Sequence, residues 1–489
     1  MERYKKLCVF VVFIFFFNLV GTTVCLGSNK DAQQTVSTYR ANLDSLQQAF
    51  LDLRFGMFIH FNMPTFSMHD WPDPLMDAAA FNPVHLDCNQ WAEAAVSAGM
   101  QYACLTTKHH SGFCVWPTKT TDYSILHSPV KRDVVKEYVD AFRRKGLKIC
   151  LYYSILDTHH DIRANWANNA DHLAFIKDQL TELLTNYGEI TCLVLDGWDA
   201  EWSRISYEAI SFYEIYSHIK SLQPNCLISE HNAGKYPASE LFYTDIKHYE
   251  QNAGQLISKE TNQLPAQAGI PINKTWFWKQ DFPFTPVLSA ASIVNENLIP
   301  LNEAHCNFIL NVAPNREGVI DVNAVAELKK VGEIWKYPGK SALLKEKHQP
   351  IIAENLAKGC RMNSSWSLGK RTSDLASDDD FSTCWVAQEA LDNHFLEVIF
   401  DEEKEVNAVC LVESTDPQKY PVLPTTRIGS YKLQYFYRDE WHTIALSQNQ
   451  NLVRVHRFDS VRASKIRVVL HECQPGLGIA EMMVYHERR

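Results

Sequence analysis

The chain is 489 residues long, 46% hydrophobic and 21% charged, which excludes wholesale disorder and suits one large domain followed by a smaller one. Its formal net charge of −10 sets an acidic surface against phosphate backbones, so nucleic acid is not an expected partner. The 12 tryptophans supply either a well-packed core or flat apolar platforms for sugar rings.

At the N-terminus, Lys5 and Lys6 precede an apolar run from Leu7 to Val20 that contains Asn18, and small residues follow from Gly21 to Cys25. A basic start, a short apolar stretch and a small-residue zone read as a leader for export over residues 1–27. The run is short for a membrane span, and no other stretch competes with it. The mature protein is therefore expected to be secreted and extracellular, with no membrane contact once the leader is removed. Two glycosylation sequons fit that location, Asn273-Lys274-Thr275 and Asn363-Ser364-Ser365. Of the 13 cysteines, Cys8 and Cys25 fall in the leader, and the odd number that remains predicts some disulfide pairing with at least one free thiol.

Short apolar runs then recur with amphipathic stretches between them. The expected strands are Phe55–Phe61, Tyr102–Thr107, Ile149–Tyr153, Cys192–Leu195, Cys226–Ser229, Thr275–Phe277 and Asn307–Val312. The expected helices are Asn89–Ala98, Asp133–Lys145, Asp171–Tyr187, Ser206–Leu222, Pro286–Asn297 and Asn323–Tyr337. This alternation implies parallel strands with helices outside. A (β/α)8-like barrel over residues 28–345 is favoured over an open doubly wound sheet, because no GxGxxG or GxxxxGK[ST] follows any strand. From about Lys340 the helical period gives way to short alternating segments: Phe395–Phe400, Ala408–Glu413, Tyr431–Phe436, Trp441–Ala445, Val453–Phe458 and Lys465–Leu470. Residues 346–489 are expected to form an all-β sandwich.

A barrel places its chemistry just beyond the strand C-terminal ends. The polar residues there are His60, Lys108-His109-His110, Asp157-Thr158-His159-His160, Asp196, Glu230-His231-Asn232 and Asn311, with Trp276 and Trp278 around the sixth expected strand. Asp196, in Leu195-Asp196-Gly197, projects a carboxylate into the barrel mouth, although an Asp that merely opens a loop is common. Hydrolysis by a retaining route needs a second carboxyl group nearby. Glu230, Glu240, Glu250 and Glu260 all follow the fifth expected strand, and position alone does not choose among them. Adjacent histidines such as His109 and His110 are expected to point to opposite sides. A zinc site drawn from His60, His109, Asp157, His159, His160 and Asp196 has no HExxH or other imposed spacing, so neither metal nor cofactor is expected. Trp71, Trp116, Trp198, Trp276 and Trp278 flank the same segments, and about half of them should simply pack the core.

Arg54-Phe-Gly-Met-Phe-Ile-His60, Leu105-Thr-Thr-Lys-His-His-Ser-Gly-Phe113, Tyr152-Tyr-Ser154, Leu195-Asp-Gly197 and Asn307-Phe-Ile-Leu-Asn-Val-Ala-Pro-Asn-Arg-Glu-Gly318 resemble glycoside hydrolase family 29, the α-L-fucosidases. The likeness runs in order over roughly residues 35–340 and is strongest to the secreted plant members, which would place the protein in the apoplast. The tail is similar to a discoidin-like carbohydrate-binding domain. The resemblance implies a retaining exo-glycosidase acting on terminal α-L-fucose of fucosylated glycans, with no cofactor. It places the nucleophile on Asp196, fucose hydroxyl contacts on His60, His109 and His110, and a tyrosine near the anomeric centre on Tyr153. Asp245-Ile246-Lys247-His248-Tyr249-Glu250 fits a family segment that ends in the acid/base, so Glu250 is assigned that role and Glu240 stands second. The chain departs from the family at Val194, where a Trp is frequent, and at His69-Asp70-Trp71, where a Glu-Trp pair is frequent; Trp71 is assigned to the substrate rim. A dead barrel that only binds glycans and a metal-dependent hydrolase are the competing readings.

Overall fold

A computed structural model describes residues 43–163, 170–198, 203, 205, 209–231, 244–250, 257–259, 262, 264–344, 350–351, 353–378, 383–388, 393–414, 427–448 and 453–487. The expected leader, Glu240 and Glu260 lie outside them.

Eight parallel strands close into a barrel in sequence order. They are β1 (Phe55–Ile59), β2 (Tyr102–Lys108), β3 (Lys148–Ser154), β4 (Cys192–Asp196), β5 (Leu227–His231), β6 (Ile246–Glu250), β7 (Ala266–Pro271) and β8 (Cys306–Asn311). Nearly every strand residue is buried, as expected where helices cover the outer face and side chains fill the inside. The enclosing helices start at side-chain caps. Asp87 accepts from the backbone of Asn89 and Gln90 to begin Cys88–Ser97, Asp133 begins Val134–Arg144, and Ser211 begins Phe212–Leu222.

Two strands depart from the sequence expectation. The expected sixth strand, Thr275–Phe277, lies in the segment after β7, while β6 and β7 occupy sequence without a strong strand signal. Ile246–Glu250 is mostly polar, and Ala266–Pro271 carries Ala, Gly and Pro, residues that strands disfavour. Closure of the barrel recruits them anyway, because an open β5–β8 gap would leave ladder groups unpaired.

The barrel interior is filled from below the mouth. The Tyr102 hydroxyl crosses from β2 to β7 and donates to Gln267 Oε1 at 3.1 Å, and Gln267 Nε2 lies 2.9 Å from His248 Nδ1 on β6. The ring of Tyr102 has room because position 56 on β1 is a glycine: a Cβ there would stand 2.4 Å from a ring carbon.

The C-terminal strands form one antiparallel sheet in the order β10-β15-β11-β14-β12-β13, with β9 also paired to β11. They are β9 (Arg361–Ser364), β10 (Trp385–Val386), β11 (Asn393–Glu413), β12 (Ser430–Tyr437), β13 (Glu440–Ser447), β14 (Val453–His471) and β15 (Gly478–Tyr485). Segments expected as four short strands are two long ones, β11 and β14, whose register shifts between Ile399 and Lys404 and between Val406 and Ala408. Leu396 and Val398 before the first shift, and Val409 and Leu411 after the second, share one buried cluster with Leu433, Val468 and Met482. A buried ion pair joins β14 to β11, with Arg454 Nη2 2.9 Å from Glu413 Oε2.

The expected disulfide pairing is corrected. All eleven described cysteines are free, and eight of them are buried, seven in the barrel half and Cys410 in the C-terminal sheet. They pack as small apolar side chains, which is the usual fate of a buried thiol. No described helix is long and apolar enough to cross a membrane.

Overpacking of the barrel floor is testable. Gly56→Ala should cost about 1–3 kcal/mol, read as a lower urea midpoint with an unchanged m-value.

Candidate active site

The register aligns the strand ends. Ser154 pairs with Asp196 and Asp196 with His231, so the last residues of β3, β4 and β5 stand at one height. Glu250 ends β6 and Asn311 ends β8, while His60 and His109-His110 follow β1 and β2 directly. Period-two alternation then sorts the side chains. Tyr152 and Asp196 meet inside the mouth; Tyr153 and Leu195 face outward. Asp196 is held at the turn by Gly197, whose φ of +106° favours glycine and whose Cβ would sit 2.6 Å from the Leu156 backbone nitrogen.

Asp196 and Glu250 converge on one imidazole. His231 Nε2 lies 2.8 Å from Glu250 Oε2, and Nδ1 lies 3.4 Å from Asp196 Oδ1, an electrostatic contact longer than a good hydrogen bond. The Tyr152 hydroxyl donates to Asp196 Oδ2 at 2.6 Å, and His110 Nε2 stands 3.7 Å from the same oxygen. Asp196 Oδ1 is buried with no hydrogen-bond partner among the described residues. Trp276 Nε1 donates to Glu250 Oε1 at 2.7 Å, and the Trp276 carbonyl accepts from Asn311 Nδ2 at 2.7 Å. Asn311 Oδ1 lies 2.8 Å from His60 Nδ1, so His60 carries its proton there and turns an accepting Nε2 elsewhere. Ser154 Oγ spends its hydrogen on the Leu156 carbonyl at 2.7 Å, so it accepts from His110 Nδ1 at 2.7 Å.

The histidine pair corrects an expectation. His109 and His110 share one cavity, with ring centroids 4.0 Å apart, because β2 ends at Lys108 and strand alternation stops there. His109 stacks on Tyr152, and its buried Nδ1 has no partner among the described residues. Trp71, half exposed, stacks on His110 with centroids 5.0 Å apart. His60 leans on Trp276 and on the edge of Phe277.

Electrostatics separate these groups sharply. Burial dominates at four histidines and keeps them neutral: it lowers His60 and His110 to about 4 and His248 to about 3, and pushes His109 well below the ordinary value. His231 goes the other way. Burial opposes its charge, but Asp196 and Glu250 outweigh burial and raise it well above 6.5. Burial likewise opposes ionisation of Asp196, yet His231, His110 and the Tyr152 hydroxyl hold its carboxyl at about 2. Glu250 is also lowered, because the His231 and Trp276 hydrogen bonds outweigh its partial burial and the Asp196 charge.

Tyr153 is a second correction. Its hydroxyl accepts from Lys108 Nζ at 2.9 Å and donates to Gln179 Oε1 at 2.7 Å, outside the barrel. Tyr152, one residue earlier, is the tyrosine that touches Asp196. Lys108 also pairs with Asp157 at 3.1 Å with both side chains fully buried, and His160 closes on Asp157 at 2.9 Å. Asp157 and His160 therefore brace the loop after β3 and stay out of the mouth. Trp116 and Trp198 are core residues bonded to Glu182 and to the Ile210 carbonyl. Glu230 is buried beside Leu195 in register, on the outward side of β5. The sequence reading places His231, Trp276 and Asn311 at the rim without giving them a role, and Tyr152 and Ser154 appear in it only as part of the Tyr152-Tyr-Ser154 segment.

A family model described as alpha-L-fucosidase matches residues 69–340. The chain is similar to Alpha-L-fucosidase 1 of Arabidopsis thaliana, with 26% identity over 473 residues covering 88% of this chain and 85% of that protein. It is 26% identical to Plasma alpha-L-fucosidase of Homo sapiens over 290 residues, covering 57% of this chain and 58% of that one. Among solved structures, a putative alpha-L-fucosidase from Bacteroides thetaiotaomicron superposes with a TM-score of 0.52 at 22% identity, over 91% of this chain and 97% of that one. Alpha-L-fucosidase isoenzyme 1 from Paenibacillus thiaminolyticus gives 0.52 at 22% identity, over 90% and 99%. At that identity the structural likeness speaks for the fold.

Tyr152→Phe removes a hydrogen bond that favours ionised over protonated Asp196, so the Asp196 pKa should rise from about 2 by roughly one unit. Carboxyl 13C titration of Asp-labelled protein reads this shift.

Proposed function

The chain belongs to the alpha-L-fucosidase family and is a glycoside hydrolase, and from that premise we propose that it removes terminal α-L-fucose with retained configuration, Asp196 acting as nucleophile and Glu250 as acid/base. The observation that carries the assignment is the shared imidazole: carboxylates from the ends of β4 and β6 face one small volume in the barrel mouth. A second acid placed there is what double displacement requires.

Asp196 suits the nucleophile. It is ionised across the working pH range, Tyr152 steadies Oδ2, and Oδ1 is left to attack the anomeric carbon. As the C1–O bond breaks, Glu250 gives a proton to the departing oxygen. Water then attacks the fucosyl ester, Glu250 takes the water's proton, and Asp196 is released. His60 and His110 are neutral with one nitrogen committed to protein, so each offers its other nitrogen to a sugar hydroxyl. The unpartnered Nδ1 of buried His109 supports the same role. Trp71 supplies an aromatic wall at the rim, against which a sugar C–H face or methyl group can stack. On the same reading residues 1–27 are a leader removed on export, 28–345 the catalytic unit and 346–489 an all-β domain of a secreted protein glycosylated at Asn273 and Asn363.

Removal of the nucleophile should be nearly complete in effect: Asp196→Ala is expected to lose roughly 10⁴-fold or more in kcat. Glu250→Ala should lose about 10²–10⁴-fold on fucosylated oligosaccharides and far less on an aryl fucoside with a good leaving group. Equal losses on both substrates would remove Glu250 from the acid role. Proton NMR of the first-formed sugar should show α-L-fucose; β-L-fucose as the initial anomer would replace double displacement with inversion.

A further inference from the structure

Two carboxylates lie against the two nitrogens of one ring, and that arrangement restricts where protons can be. A neutral imidazole carries one N–H and one lone pair. Asp196, held at about 2, presents an anionic Oδ1 to Nδ1, so the hydrogen on that side belongs to Nδ1. On the other side Trp276 Nε1 is a donor only, so Glu250 Oε1 must accept, and the single 2.8 Å link between Glu250 Oε2 and His231 Nε2 holds one proton. Glu250–OH against a neutral ring and Glu250 carboxylate against an imidazolium are the two ends of that one transfer.

We propose that His231 is the proton reservoir of the reaction: clamped between Asp196 and Glu250, it stores as an imidazolium the proton that Glu250 passes to the departing oxygen, and recovers it from the attacking water. This rests on Asp196 and Glu250 acting as nucleophile and acid/base. In the first half-reaction the Nε2 proton moves to Glu250 Oε2 and on to the glycosidic oxygen, while Asp196 bonds to C1. His231 is then neutral and Glu250 a carboxylate. In the second half-reaction the water oxygen bonds to C1, the C1–Asp196 bond breaks, and the water proton returns through Glu250 to Nε2. Protons and charge balance over the cycle with no added reactant.

The surroundings favour the charged ring. Among the described residues His231 is faced by Asp196 from β4, Glu250 and His248 from β6 and His110 from the turn after β2. The two acids are ionised and both histidines are neutral, so nothing cationic competes with it. The device also accounts for a carboxyl that is lowered at rest and yet works as an acid: the pair, not Glu250 alone, titrates.

His231→Gln keeps a donor to Glu250 but cannot release a proton, which makes it the discriminating variant. A positioning residue of this kind acts through pH. Because the His231–Glu250 proton is lost only as pH rises through a raised pKa, the wild-type kcat/KM should hold well above pH 6.5. In His231→Gln the alkaline limb should move at least one pH unit toward acid. At pH 7.5 a fucosylated oligosaccharide should lose about 10–100-fold while a good-leaving-group aryl fucoside loses much less. An unmoved limb with equal losses on both substrates would overturn the reservoir. Glu250→Ala run alongside separates the readings, since absence of leaving-group dependence there would overturn the acid assignment itself. Should His231→Gln not fold, 15N spectra of His-labelled wild type still decide. One imidazolium that persists above pH 7.5 and shifts on adding L-fucose is expected, and its absence would sink the proposal.

Discussion

Closure of eight parallel strands in common register is the constraint on which the site depends. Once the ladder is complete, each strand's last inward side chain is delivered to the same mouth, and its neighbour in sequence is sent outside. Tyr152 and Tyr153 show how strict the sorting is. One donates to the buried carboxylate of Asp196, while the other stands against a buried Lys–Asp pair behind the sheet. Backbone hydrogen bonds laid down far from the mouth therefore decide which of two identical side chains faces into it.

Within the mouth, solvent exclusion does the rest. Neutral imidazoles survive because burial penalises their charge, and the bonds to Asn311 and Ser154 fix the tautomers of His60 and His110. The one ring that escapes this rule does so because two carboxylates flank it. The same desolvation that would neutralise an isolated acid instead tightens a three-membered charge array, since opposite charges in low dielectric reinforce one another. Packing beneath supports it: the Tyr102–Gln267–His248 series runs from the barrel floor to the edge of His231.

Much of this was legible in the sequence. Six short apolar strands announce a barrel, and Asp196 ends one of them in a pattern that points straight to the mouth. The motif around Asp245 led to Glu250 even though the strand carrying it went unrecognised. β6 and β7 were obscure because polar, small and proline-containing segments have weak strand preference and are held by their neighbours. Thr275–Phe277 misled for the opposite reason, being aromatic and β-branched yet serving as a wall of the site. The tyrosine choice failed because a doublet contains no phase; only the register of β3 against β4 supplies it. The role of His231 was beyond reach of sequence altogether, since it depends on two atoms contributed by strands on either side. In the C-terminal half, the charged stretch Asp401–Glu405 broke one long strand into two apparent ones.

The packing of the thiols has a practical consequence for handling the protein. The described cysteines form no cross-link and most are sealed in the interior, so no disulfide among the described residues holds the fold. Dithiothreitol in the buffer thus finds no described disulfide to reduce. Among the described cysteines, maleimide dyes would find Cys360, Cys384 and Cys473 partly accessible, all in the C-terminal sheet region, while those of the barrel are buried.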